Sequence, residues 1–231
     1  MRNIRENIEF IKDIVNLAKS SSTSVEIVAV TKTFPYQNVL EALRCGIKHI
    51  GESKIQEALP KFEQLAFSLR GIRKHFIGHL QSNKVKKVVE NFDLIHSLDT
   101  MSLAYNISRH AKNLNKLQNC LIEVKVSHEM SKIGVNLNEV EGFYEKCLSI
   151  HNVLIRGLMV ITPFSKNSKD SKYYFKQVYK LFEDIKKSFK NSEFDILSMG
   201  MSNDYKIAIE EGSNMIRVGS AIFGEREYKK K

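Results

Sequence analysis

The sequence predicts an α/β fold built as one (β/α)8 TIM barrel, and three observations carry that expectation. Eight short apolar segments, rich in β-branched residues, alternate with segments of helical periodicity, which is the pattern of a parallel sheet. Eight is also the count that closes such a sheet into a barrel, and 231 residues lie within the roughly 200–250 that these barrels occupy. Residues 1–231 are therefore expected to form a single domain, with no length left for a second β-domain. No GxGxxG follows the first strand, which argues against an open, doubly wound nucleotide-binding sheet.

The elements follow in order. Ile4, Ile8, Ile11, Val15 and Ala18 are spaced 4-3-4-3, so residues 3–19 read as an amphipathic helix. It precedes the first strand and is expected to cover the barrel wall where the last crossover helix is short. Residues 25–30 (VEIVAV) are too short for a helix and make a buried first strand. Helical patterns at 36–44, 53–68, 82–90 and 100–113 alternate with strands at 48–51, 74–77 and 94–97. The fifth strand is 119–126 and the sixth 153–159, with a helix at 137–148 between them. A long helix over 169–189 follows, with Phe175, Val178, Phe182, Ile185 and Phe189 on one stripe. The seventh strand (195–198), a helix at 203–211 and the eighth strand (215–219) complete the series.

Composition limits the function classes. Three cysteines without close spacing (Cys45, Cys120, Cys147) suit a reducing compartment, and the absence of CxxC leaves a structural zinc site with little support. Charges at Arg5, Glu6, Glu9, Lys12 and Asp13 interrupt anything resembling a signal peptide, and no segment has the ~20 apolar residues of a membrane span. A soluble, cytoplasmic protein is expected. The net charge of +10 raises the question of nucleic acid, but the lysines are dispersed, apart from the tail Tyr228–Lys231, and no recognition motif accompanies them. A solvated basic surface is the expectation, with neither specific nucleic acid nor membrane as partner.

Barrel active sites lie at the C-terminal strand ends. The first strand ends in Val30-Thr31-Lys32-Thr33, and a lysine there is partly desolvated, which favours the neutral, nucleophilic amine. Taken alone, it reads more readily as a lysine snorkelling to the rim. The seventh strand ends in Ser198-Met199-Gly200-Met201-Ser202 and the eighth in Arg217-Val218-Gly219-Ser220. Loops at these two positions recurrently bind phosphate, and Gly200 and Gly219 let backbone N–H groups approach an anion. Ser198, Ser202 and Ser220 add hydroxyls, and Ser202 suits the N-cap of the following helix. With the anion loops opposite a rim lysine, a phosphorylated aldehyde satisfies both ends. Pyridoxal 5′-phosphate and an aldolase-type sugar phosphate both qualify, and the pattern does not choose between them.

The stretch Val28–Thr33 (VAVTKT) resembles a block of the pyridoxal phosphate homeostasis proteins. His75–Lys84 (HFIGHLQSNK), Arg156–Met159, Leu197–Ser202 and Arg217–Gly224 are similar to further blocks of that family in the same order. The resemblance covers nearly the whole chain. It implies a barrel like the N-terminal domain of bacterial alanine racemase, with pyridoxal phosphate held as a Schiff base on Lys32. It further implies phosphate contacts from Ser198, Gly219 and Ser220, and Arg217 at either the phosphate or the ring nitrogen. His75, Met159, Gly200 and Ser202 fall in the same blocks and, with Ser53 after the second strand, are expected around the cofactor. One departure is Gly51-Glu52-Ser53, where the family has G-E-N; serine is shorter and offers fewer hydrogen bonds than asparagine. Lys132, in Lys132-Ile133-Gly134, is the second candidate amine.

What the resemblance implies is a carrier or buffer for the cofactor, with little or no turnover, passing it to transient apo-enzyme partners. The alternative is an amino-acid racemase. Two-base racemisation needs an acid/base on each face of the substrate, and Lys32 supplies one. Racemases with this barrel draw the second from an added β-domain, and Tyr36 or His79 would have to replace it. A Schiff-base aldolase is the third reading. A monomer or weak dimer is expected.

Overall fold

The computed structural model describes residues 3–18, 24–126, 133–163 and 168–225. Its strands are β1 (Glu26–Val30), β2 (His49–Glu52), β3 (Arg73–Phe76), β4 (Leu94–Leu98), β5 (Gln118–Lys125), β6 (Val135–Asn136), β7 (Val153–Val160), β8 (Ile196–Ser198) and β9 (Met215–Val218). Eight of them pair in parallel in the order β1-β2-β3-β4-β5-β7-β8-β9, and β9 returns to β1, so the barrel closes. The two-residue β6 adds to β5 alone and displaces the numbering: the expected seventh and eighth strands are β8 and β9.

The described helices are α1 (Ile4–Ala18), α2 (Tyr36–Arg44), α3 (Ile55–Gln64), α4 (Val85–Asn91), α5 (Met101–Asn113), α6 (Val140–Cys147), α7 (Ser168–Phe189), α8 (Tyr205–Glu210) and α9 (Ser220–Phe223). α9 has four residues, and α1 packs on α2, α8 and α9 to cover the barrel wall there, as its apolar stripe requires. Ile8, Ile11 and Val15 are buried in that seam, and Asn7 Nδ2 donates to the Ile222 carbonyl at 2.9 Å. Burying each of those aliphatic side chains contributes roughly 1.5–3 kcal/mol.

α4 and α6 each begin three residues later than their patterns, after single 3₁₀ turns at Ser82–Lys84 and Leu137–Glu139, and two further helices are shorter. α3 stops at Gln64 rather than running to 68, because Leu65 and Leu69 reach the core from a series of turns, while Phe67 stays exposed. α8 begins at Tyr205, two residues later than expected, since 202–204 are in turns.

The strands bury both faces. Outward, they pack on helix stripes such as Phe175, Val178, Phe182 and Ile185 of α7. Inward, Val28, Leu94, Leu121, Met159 and Met215 form an apolar plug. Gly157 sits at φ +146° where β7 shifts register against β5, and a Cβ there would lie 1.8 Å from the Ile196 carbonyl oxygen. Only glycine lets β7 and β8 approach at that point. No helix among the described residues is long and apolar enough to cross a membrane.

Candidate functional site

The site is built at the C-terminal mouth of β1, β2, β8 and β9. Beyond Val30 the chain keeps one more ladder bond, Thr31 N–H to the Gly51 carbonyl at 2.9 Å, and then turns, with Phe34 N–H donating to the Thr31 carbonyl at 3.2 Å. Thr33 adopts φ +71°, the left-handed region, which costs a β-branched residue on the order of 1–3 kcal/mol. This turn lifts Lys32 out of the strand, where it is half-buried.

Directly beneath lies a buried ion pair. Lys61 of α3 donates to the Glu52 carboxylate and, at 2.7 Å, to the Thr31 carbonyl, the peptide group that leads into Lys32. The Thr31 hydroxyl donates to the same Glu52 oxygen at 2.6 Å. Glu52 is fully buried, and its other oxygen has no hydrogen-bond partner among the described residues. Ser53 follows at the end of β2, half-buried, and lines a cavity of about 460 Å³ with Gly78, His79 and Gln81.

On the β8–β9 side the main chain does the work. The N–H groups of Gly219 and Ala221 both donate to the Ser202 hydroxyl at 3.2 Å, so the two loops converge their donors on one oxygen. Ser220 is exposed between them. Gly200 holds φ +90°, and a Cβ there would meet Ala208 Cβ at 2.6 Å and Tyr205 Cα at 2.8 Å. Its carbonyl accepts from the Arg217 N–H at 3.0 Å, which ties the two loops together.

Several expected residues take other places. Ser202 does not cap α8, whose N-cap is Asp204; its hydroxyl serves the next loop instead. Ser198 is fully buried below the mouth, its hydroxyl engaged by Arg217 at 2.7 Å and by His96 at 3.3 Å. Arg217, only 4 % exposed, points into the barrel, where it donates to the Ser198 and Val160 carbonyls, both at 2.9 Å. Burial pulls its guanidinium down to about 10 against the charges of Glu123 and Asp204, so it stays cationic at neutral pH. Glu123, above the plug on β5, is pushed up to about 7 by burial and by Asp99, with Arg217 opposing.

His75 is not at the mouth: it sits inside the barrel between His49 and His96 and borders a cavity at the opposite end. Met159 belongs to the apolar plug, one position above Leu158 on β7 and beside Ser198. His79 is exposed, its Nδ1 4.0 Å from Asp99, and Tyr36 opens α2. Lys132 and the tail Tyr228–Lys231 lie outside the described residues. The sequence reading missed the Glu52–Lys61 pair; the only signal for it was Lys61 standing on the helix face that carries Ala58 and Phe62.

The lysine and the anion loops are neighbours, not opposites. β1 pairs with β9 (Ala29 beside Val218), and a Cβ on Gly219 would lie 3.4 Å from the Val30 carbonyl oxygen. The closed barrel that the sequence predicts already puts its eighth strand beside its first, so closure itself corrects the expectation of loops opposite Lys32. The arrangement supplies, within one step of the sheet, an amine, an oxygen-binding pair of N–H groups and, below them, a cation.

The sequence profile of the family described as "Alanine racemase, N-terminal domain" matches residues 1–227. The chain is 38% identical over 221 residues to the pyridoxal phosphate homeostasis protein of Aquifex aeolicus, covering 96% of each. It is 33% identical to the protein of that name from Escherichia coli K12, covering the whole of both. Among solved structures, PipY of Synechococcus elongatus with PLP bound superposes with a TM-score of 0.86 at 32% identity, covering 96% of this chain and all of that one. Alanine racemase of Clostridium difficile, at 15% identity, shares the fold with a TM-score of 0.70 over 57% of its length.

Proposed function

Since the chain belongs to the pyridoxal phosphate homeostasis proteins, within the alanine racemase N-terminal domain family, we propose that it binds pyridoxal 5′-phosphate reversibly through Lys32 and acts as a carrier or buffer of that cofactor. The observation that carries this reading is the adjacency of β1 and β9. Pyridoxal phosphate bears its aldehyde and its phosphate arm on neighbouring ring carbons, so the groups that meet them must also be neighbours. Lys32 after β1 and the Gly219 and Ala221 N–H groups after β9 meet that demand.

The fit extends to the donors. The Ser202 hydroxyl oxygen stands where a phosphate oxygen would be received, with Ser220 at the same edge. Arg217 points away from these N–H groups and toward the barrel axis, which suits the ring nitrogen better than the phosphate. When bound, the group supplies an electrophilic aldehyde and an electron-withdrawing ring. A guanidinium can only donate to the ring nitrogen, whereas a carboxylate would keep it protonated and make the ring a stronger electron sink. Arg217 therefore favours holding the cofactor over using it for carbanion chemistry. Ser53 would flank the ring from β2, and the Glu52–Lys61 pair would fix the peptide that carries Lys32. Ser198, Gly200 and Met159 support the site from below, and His75 acts from inside the barrel. We read residues 1–231 as one cofactor-binding domain, cytoplasmic, a monomer or weak dimer, handing its cofactor to apo-enzymes.

The test is the absorbance of purified protein incubated with pyridoxal phosphate. Wild-type protein is expected to acquire a visible band that survives gel filtration, and Lys32→Ala to lose it while remaining folded. A band retained in Lys32→Ala places the attachment elsewhere and overturns the reading. Exchange of the α-hydrogen of alanine into deuterated water at enzymatic rates would show turnover beyond a carrier's role.

A further inference from the structure

A file of hydrogen bonds crosses the barrel interior, and of its members only the last, Arg217, is set against the cofactor in the reading above. His49 Nε2 meets the Glu26 carboxylate at 3.0 Å; His49 Nδ1 meets His75 Nε2 at 2.9 Å; His75 Nδ1 meets His96 Nε2 at 2.9 Å. His96 Nδ1 lies 3.3 Å from the Ser198 hydroxyl, which receives Arg217 Nη1 at 2.7 Å. Six strands contribute one residue each: β1, β2, β3, β4, β8 and β9.

The two ends independently fix every proton between them. A guanidinium only donates, so the Ser198 oxygen accepts from Arg217 and turns its own hydrogen to His96 Nδ1. His96 then carries its hydrogen on Nε2 and donates to His75 Nδ1. The same step repeats at His75 and at His49, whose Nε2–H arrives at Glu26, a carboxylate that only accepts. Donor end and acceptor end demand one direction, with all three imidazoles neutral. Burial favours the neutral form throughout: it pulls His75 down to about 3, holds His96 well below the usual imidazole range, and lowers His49 against the charge of Glu26.

We propose that Glu26, His49, His75 and His96 are positioning residues that hold the Ser198 hydroxyl and the Arg217 guanidinium in the orientation presented to the cofactor ring. The inference deepens the reading above and rests on it where the cofactor is concerned. The file also has a wet end. Glu26 and His49 border a cavity of about 310 Å³ with Lys12 and Lys48 at the N-terminal face, and His75 borders a second, of about 500 Å³, with Arg73, Asp93 and Arg156. A proton entering at His49 Nδ1 would set an N–H against the His75 N–H. His75 and then His96 would have to exchange tautomers, and Ser198 would receive two donors and turn its own hydrogen out toward the mouth. The charge itself would stay at His49, facing Glu26 on β1, Lys12 on α1, Lys48 and, from β3, Arg73. Acid at the far face would thus reorient the support of Arg217.

The full chain with 15N-labelled histidine and arginine, free of cofactor, tests the file at neutral pH. His49, His75 and His96 are expected to show Nε2–H tautomers with slowed exchange. Glu26→Ala removes a half-exposed carboxylate outside the site and is expected to move the His96 ring signals and speed rotation of the Arg217 guanidinium. It should also weaken pyridoxal phosphate binding about fivefold, and Glu26→Gln, whose amide oxygen still accepts, should restore it to within twofold. Wild-type affinity should fall on acidification, in step with the titration of His49, which burial holds below the usual imidazole range. An Nδ1–H tautomer at any of the three, or a Glu26→Ala response confined to His49, overturns the inference. If wild-type protein takes up no cofactor, the reading of the site falls, while the NMR signals still decide the file.

Discussion

Under Lys32 the mouth rests on charged side chains, whereas across the seam at β9 it rests on main-chain N–H groups. The first support is Lys61 and Glu52, buried together and bonded to the Thr31 carbonyl and hydroxyl. The second is the Gly219 and Ala221 N–H pair, with Gly200 at φ +90° behind it. The difference teaches where each side is vulnerable. A buried ion pair fixes geometry closely but leaves an uncompensated charge when one partner is lost. A main-chain cradle tolerates most side-chain changes and fails only where the backbone needs a conformation that a Cβ forbids.

The largest expected effect follows from that asymmetry. Lys61→Ala strands the Glu52 carboxylate, one of whose oxygens is already unpartnered, and should destabilise the protein by about 3–5 kcal/mol. The double variant Glu52→Gln with Lys61→Met removes both charges at similar volume and should recover at least half of the loss in urea midpoint. Equal losses in the single and double variants would mean that packing, not charge, supports Lys32, and the comparison would break.

Acid sharpens the contrast from the other side, because Arg217 stands on three neutral imidazoles. The folded protein holds His75 at about 3, below the 6.5 of an unfolded histidine, so the unfolded chain binds protons first as pH falls. Stability is therefore full above about pH 6.5 and declines as pH drops toward 3, by about 2 kcal/mol at pH 5 from His75 alone. His96 and His49 shift in the same direction and add to it. Urea midpoints measured from pH 7.5 to 5 check this, and His75→Gln should flatten the slope. A midpoint that stays level across the range would remove the histidines from the account.

Most of the barrel can be read from sequence because most strands are apolar runs of the right length and the helices carry stripes at 3.6 spacing, although β3 (RKHF) offers only Phe76. The bounds of α1 and α2 lie within a residue or two of those their stripes predict for that reason. What failed was whatever depends on closure. The local pattern of Val28–Thr33 and of Arg217–Ser220 does not say that these strands are neighbours; barrel closure does, and it puts Lys32 beside the β9 loop that it is expected to face. Ser198 reads as a phosphate ligand because strand ends are where ligands bind, yet its side chain faces inward, with its one hydrogen directed to His96 and its oxygen accepting from Arg217. His49, His75 and His96 lie 21 to 26 positions apart along the chain and become a file only when β2, β3 and β4 align. Nothing local to Lys61 marks the Glu52 carboxylate that it meets in the fold.

The cradle side predicts smaller changes. Gly200→Ala forces a Cβ into a left-handed position and against Ala208 and the Tyr205 backbone, which should cost about 1–2 kcal/mol. Because the Gly200 carbonyl receives the Arg217 N–H, cofactor affinity should fall with it. Calorimetric melting and an absorbance titration on the same sample read both. Unchanged melting would show that the loop can move aside, and that the two loops are not tied as the geometry has them.

Ser202→Ala should have the least effect. Its hydroxyl oxygen occupies the point on which two N–H groups converge, and water can replace it at this part-exposed edge, so stability should change by less than about 1 kcal/mol. A phosphate oxygen arriving there displaces the hydroxyl instead of binding to it. What the alanine variant loses on binding is then a secondary contact, and affinity for pyridoxal phosphate should fall less than about threefold. A loss greater than tenfold would make the Ser202 side chain itself a principal ligand. The β9 side would then depend on a hydroxyl much as the β1 side depends on its carboxylate, and the division between a side-chain wall and a main-chain wall would no longer hold.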